Sequence, residues 1–93
     1  MEEKARAHLI VSGRVQGVCF RAETQRAART FGVFGWVRNK GDGTVEAIAE
    51  GAKADVISLI NWCKTGPPLS RVEKVDVTWQ GCHGESSQFD IHY

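Results

Sequence analysis

This 93-residue sequence is first narrowed by what it lacks. It has no excess of charge of either sign, since twelve lysines and arginines against eleven acidic residues leave a formal charge of +1. Nucleic-acid binders show a strongly basic face or stripe, so no nucleic-acid partner is expected. No apolar run approaches the ~20 residues that span a bilayer. The opening Met1-Glu2-Glu3-Lys4 carries no apolar export segment either, so no membrane partner is expected. Cysteine is scarce: Cys19, Cys63 and Cys82 form an odd set without CxxC spacing. That pattern fits a reducing cytoplasm better than a secreted disulfide framework, with one disulfide and a leftover thiol still open. Repeats, linkers and low-complexity stretches are absent. What remains is 42% apolar and 25% charged, close to the globular average. A chain of this length buries roughly two-thirds of its unfolded surface around one core. A single domain over residues 1–93 is expected, with 1–6 as a loose N-terminus.

The polarity pattern divides the chain into short elements. Ala7-His8-Leu9-Ile10-Val11-Ser12 reads as an apolar strand punctuated by Gly13. Phe20, Thr24, Ala27, Ala28 and Phe31 recur at helical spacing, with Glu23 in the first turn, Arg26 and Arg29 late, and Gly32 as a stop. Val33 to Asn39 is β-rich, and Lys40-Gly41-Asp42-Gly43 is a turn. Thr44 to Glu50 then alternates Val45, Ala47 and Ala49 against Thr44, Glu46 and Glu50, with Ile48 as the exception. Val56, Leu59, Ile60 and Cys63 form the stripe of a second helix, ended by Gly66-Pro67-Pro68. Val72, Val75, Val77 and Trp79 mark a fourth strand, residues 81–87 a polar loop, and Phe89 to Tyr93 a short last strand.

The order βαββαβ plus a further strand predicts an α+β, ferredoxin-like sandwich: an antiparallel sheet, two helices on one face, and a short extra C-terminal strand. With right-handed crossovers, strands one and two run parallel and strand three lies between them. The loop after strand one and the end of strand two then share one edge of the sheet, with backbones about 10 Å apart. A phosphate and one water fit that gap.

On one side of the gap runs Gly13-Arg14-Val15-Gln16-Gly17-Val18-Cys19-Phe20-Arg21. A glycine-bearing strand-to-helix loop presents free N–H groups where the helix dipole is positive, a ready anion site. Arg21 adds a permanently charged fork that matches phosphate oxygens. Arginine in a first turn also opposes the dipole, which is unfavourable unless an anion sits there. An ordinary βα turn with a solvated arginine accounts for the same residues, and the two readings stand level. Across the gap, Asn39 ahead of Lys40-Gly41 is explained as a turn former. Only topology gives it a second reading, facing the loop.

Other chemistries find less support. There is no GxxxxGK(S/T), so no P-loop. Cys19 stands two residues before Arg21, too close for a thiol-phosphate loop, and reads as packed beneath the loop. His8, His83 and His92 lack zinc-ligand spacing, so no metal is expected. Asp42-Gly43-Thr44 falls in the hairpin turn and lacks the second aspartate of a phosphatase motif. Trp36, Trp62 and Trp79 read as core and sheet-face residues rather than a base-stacking platform.

The loop resembles the acylphosphatase signature, glycine-x-valine-glutamine-glycine-valine-x-phenylalanine-arginine. Further matches are Gly35-Trp36-Val37-Arg38-Asn39, Gly43-Thr44-Val45, Trp62, Gly66-Pro67 with Ser70-Arg71-Val72, and Phe89-x-Ile91-x-Tyr93. The resemblance covers about residues 7–93 and implies the ferredoxin-like fold. By position it implies that Arg21 binds phosphate and that Asn39 holds the nucleophilic water. It makes the main-chain amides of Gln16, Gly17, Val18, Cys19 and Phe20 the phosphate cradle. It implies a hydrolase without metal or cofactor that splits acyl phosphates into carboxylate and inorganic phosphate by direct attack of water. The expected partners are those small molecules, and the expected state is a cytoplasmic monomer. Many members carry glycine where this chain has Cys19, but some animal enzymes carry cysteine, so activity is not in question. Two other roles compete. A non-catalytic ferredoxin-like module would bind a small anion or a partner, and the intact pair Arg21 and Asn39 weighs against it. Carbamoyl-phosphate handling, as in larger hydrogenase-maturation proteins, is opposed by the lack of further domains or zinc-type cysteine pairs.

Overall fold

The computed structural model describes residues 3–82, 84 and 87–93. Its elements are β1 (Lys4–Arg14), α1 (Phe20–Phe31), β2 (Phe34–Asn39), β3 (Val45–Ala52), α2 (Lys53–Thr65), β4 (Arg71–Gln80) and β5 (Phe89–His92). The sheet order is β4-β1-β3-β2-β5. β3 pairs antiparallel with both β1 and β2, so those two run parallel with β3 between them, as the crossovers require. The fold is the ferredoxin-like sandwich.

Both helical stripes lie where their periodicity puts them. α1 buries Phe20, Thr24, Ala27 and Ala28 over β2 and β5, and α2 buries Val56, Leu59, Ile60 and Cys63 over β1, β3 and β4. Leu9, Val11, Val37, Val45 and Phe89 meet them from the sheet. Each such aliphatic or aromatic side chain stabilises the fold by about 1.5–3 kcal/mol relative to exposure. Thr24, the polar member of the α1 stripe, is fully buried and donates its hydroxyl to the Phe20 carbonyl at 2.7 Å.

Three expectations are corrected. The sheet is mixed: β5 adds parallel to β2, Gly35–Arg38 against Phe89–His92. The chain reverses after β4 and crosses to the opposite edge, where a strand antiparallel to β4 is necessarily parallel to β2. β1 neither starts at residue 7 nor stops at Gly13. Lys4 to Arg6 already pair with Ala52 to Glu50, so residues 4–6 are part of the sheet and not loose; Met1 and Glu2 lie outside the described residues. Gly13, at φ 121°, forms a bulge after Ser12, and pairing with β4 resumes through Val72 and Arg71. A Cβ at Gly13 would run into the Arg71 carbonyl oxygen, so glycine here bends the strand rather than ending it. β3 runs on to Ala52 and loses its alternation, because Ile48 and Glu50 on its second face are buried as well. Ile48 is paired with His8 on β1 and with Trp36 on β2, both half-buried.

Candidate active site

Val15 and Val18, both almost fully buried, anchor the loop from β1 to α1 in the core, and Phe20 anchors the first turn of α1. Between these anchors the backbone is forced outward. Gly17 and Cys19 are exposed and left-handed, with φ of 74° and 62°. Left-handed residues interleaved in a turn curl successive N–H groups toward one side, the kind of concavity that takes anions. Cys19 is the N-cap of α1, and its side chain makes no capping bond. The first-turn amides of α1 are therefore not occupied by a cap at the positive end of the helix.

The structure corrects the reading of Cys19 as packed beneath the loop. Its left-handed backbone projects the side chain outward, while Val18 and Phe20 take the interior positions. All three cysteines are free thiols. Cys63 is buried in α2, and burial pushes its thiol up to about 12, far from the thiolate a nucleophile needs.

Arg21, the second residue of α1, is partly exposed, with its Cζ 4.9 Å from the centre of the Tyr93 ring. Among the described residues no acidic side chain pairs with it. Asn39 ends β2 opposite Val45 and is half-buried. Gly17, Cys19, Phe20, Arg21 and Asn39 line one cleft of about 360 Å³. The loop and the end of β2 thus meet as topology required. The side chains of Gln16 and Val18 do not line the cleft. Val18 is in the core, and the Gln16 side chain turns to the β2–β3 hairpin, donating to the carbonyls of Lys40 at 2.8 Å and Thr44 at 2.9 Å.

Val15, Ala22, Ile91 and Tyr93 complete the wall, and none of them was assigned a role from sequence. A signal for Ile91 and Tyr93 existed. Phe89, Ile91 and Tyr93 alternate, so they share the face on which Phe89 is buried. Using it required knowing that β5 lies beside β2.

The remaining polar residues are engaged elsewhere. His8 meets Glu46 at 2.7 Å and His92 stacks on Trp36 at 5.1 Å, both on the sheet face away from the helices. His83 lies outside the described residues. Asp42 accepts from the Thr44 hydroxyl at 2.6 Å and its amide at 3.0 Å, bonds that hold its carboxyl below the ordinary range and confirm a turn role. Trp62 tilts against Phe20, whereas Trp79 is exposed on edge strand β4 near Lys53. Among the described residues no group of His, Cys, Asp and Glu could hold a metal ion, and no helix is long and apolar enough to cross a membrane.

Residues 7–91 match the family model described as acylphosphatase. An acylphosphatase of Anaeromyxobacter sp. is 52% identical over 93 residues, covering the whole of both chains. One from Pelotomaculum thermopropionicum is 51% identical over 90 residues, 97% of this chain and 98% of that one. The crystal structure of acylphosphatase from Bacillus subtilis superposes with a TM-score of 0.92 at 38% identity, covering 96% of this chain and 99% of that one.

Proposed function

The chain belongs to the acylphosphatase family, and from that premise we propose that its cleft hydrolyses acyl phosphates, Arg21 and the loop amides taking the phosphate and Asn39 presenting the water. The observation that carries these roles is the convergence of three features on one cleft: a guanidinium with no acidic partner among the described residues, an outward-curled loop at a helix N-terminus, and a neutral amide on the opposite side.

The water oxygen bonds to phosphorus, the bond from phosphorus to the acyl oxygen breaks, and the electron pair leaves with the carboxylate. The conjugate acid of that leaving group has a pKa of about 4, so no general acid is needed. The transition state is loose, with charge spread over the equatorial oxygens, so stabilisation and alignment are the main tasks. The Arg21 fork and the amides stabilise that charge. The Asn39 side-chain oxygen accepts a hydrogen bond from the water and directs its lone pair at phosphorus. The water proton goes to a phosphate oxygen of the substrate itself. The same reading makes the protein a cytoplasmic monomer acting on small molecules without a cofactor, and the free thiols agree with a reducing compartment.

The test compares acetyl phosphate with a simple phosphate monoester, with and without EDTA. The acyl phosphate should turn over far faster and survive chelation; comparable rates, or rescue of a chelated enzyme by a divalent ion, would overturn the assignment. Arg21→Ala should lose inorganic phosphate binding and turnover, and Arg21→Lys should rescue poorly because a point charge lacks the fork. Asn39→Ala should lower kcat by about 10²-fold at near-normal phosphate affinity. Its stability should change by about 1 kcal/mol or less. Equal loss of phosphate binding in both alanine variants would refute the division of labour.

A further inference from the structure

We propose that the Gln16 side chain is a positioning residue that sets the distance between the phosphate loop and Asn39. This rests on the role given to Asn39 above. The two halves of the cleft come from strands that are not neighbours, since β3 separates β1 from β2. No ladder hydrogen bond therefore ties the loop directly to the strand bearing Asn39.

Gln16 supplies that tie from within the loop itself. A side-chain amide has two N–H donors, and both are used: one on the Lys40 carbonyl at 2.8 Å, the other on the Thr44 carbonyl at 2.9 Å. These two carbonyls already close the hairpin. Thr44 O accepts from Lys40 N at 2.9 Å, and Lys40 O accepts from Gly43 N at 3.2 Å. Lys40 N belongs to the peptide that joins it to Asn39, so the plane of that peptide is fixed by an acceptor that Gln16 also holds. The Gln16 side chain is partly buried and does not line the cleft, so that side chain acts on the reaction only through the hairpin, whatever its main-chain amide contributes. Such support matters because a displacement of about 1 Å in a positioned group costs on the order of 10²-fold in rate.

The test is a cycle in steady-state kinetics with acetyl phosphate, using Gln16→Met, which keeps length but removes both donors, in wild-type and Asn39→Ala backgrounds. Gln16→Met alone should lower kcat by about 10-fold or more, with inorganic phosphate affinity within about 2-fold by calorimetry. In the Asn39→Ala background the same change should cost less than about 2-fold, because the group being positioned is gone. An undiminished cost in that background, or a loss of phosphate affinity as large as the loss in kcat, would mean that Gln16 serves the loop instead. A second measurement needs no variant. In the wild-type protein both Gln16 amide protons should exchange slowly with water by NMR, and rapid exchange would overturn the clamp. Acetyl phosphate hydrolysis that responds to Asn39→Ala but not to Gln16→Met would sink the clamp alone. A wild type inactive on acetyl phosphate would fault the functional reading, and amide exchange would then judge the clamp.

Discussion

Cys19 is the one described residue other than glycine with a positive φ, and it holds that conformation at φ 62°, ψ 23° where the loop meets α1. For a residue with a Cβ, the left-handed region costs about 1–2 kcal/mol. The Cys19 side chain is exposed and caps nothing, so its removal loses little packing. Glycine at this position removes the strain but adds freedom to the unfolded chain, an opposing effect of about 0.4–1 kcal/mol. The balance predicts that Cys19→Gly is more stable by about 0.5–1 kcal/mol, or about 2–8 °C in Tm for a domain of this size. Asparagine tolerates the left-handed region and should fall at or slightly above wild type. Valine, stiff at χ1, should be the least stable, by about 1 kcal/mol or more. Thermal and urea melts on the three variants would give the order, and phosphate titration would confirm that the glycine variant keeps its anion site. If valine matched wild type and glycine were the weakest, the left-handed loop would not be what this position demands.

Glu46 lies between His8 and Arg38 on the outer sheet face, 2.7 Å and 2.6 Å away. Burial raises its pKa, but the hydrogen bonds from His8 and Arg38 and their charges outweigh that and leave the carboxyl below its ordinary value. A depressed folded pKa contributes stability above the unfolded value that is lost as pH falls through the folded one. Glu46→Gln should therefore flatten the acid limb of the stability curve and leave kcat unchanged; an unaltered acid limb would show the cluster to be inert. Tyr93 packs its ring on the Arg21 guanidinium, and an exposed contact of this kind is worth about 0.5–1 kcal/mol. Tyr93→Ala should weaken inorganic phosphate binding by about 2- to 5-fold and Tyr93→Phe should restore it, whereas equal affinities by calorimetry would show the contact to be idle.

Periodicity carried the helices because each has one buried face. Phe20, Thr24, Ala27 and Ala28 could be read directly, as could Val56, Leu59, Ile60 and Cys63. The strands were less legible because their neighbours are remote in sequence. β3 lies in the middle of the sheet, and Ile48 hides its alternation. Gly13 is a breaker by composition and a bulge by pairing, and only Val72 and Arg71 decide between the two. In the cleft, Arg21 was visible because its charge is wrong for a first helical turn, and Asn39 only through strand order. Cys19 was misplaced because cysteine usually packs inward, a tendency that the left-handed backbone overrides. The destination of the Gln16 amide depends on where a hairpin some two dozen residues away comes to rest.

The parallel pairing of β5 with β2 has a consequence for how the protein is made. Phe89 leaves the ribosome about fifty residues after Asn39, a delay of roughly 3–10 s at ordinary rates of synthesis. Until then the outer edge of β2 is open, Gln25 lacks the Phe89 carbonyl to which it donates at 2.9 Å, and Ile91 and Tyr93 have not closed the cleft wall. A nascent chain at that stage carries Arg21 and Asn39 with an unpaired strand edge beside them, the feature most prone to wrong pairing. Phosphate stabilises only the state that binds it, so on the roles proposed for Arg21 and the loop the cellular anion favours this fold more strongly once the final strand has set Tyr93 against Arg21.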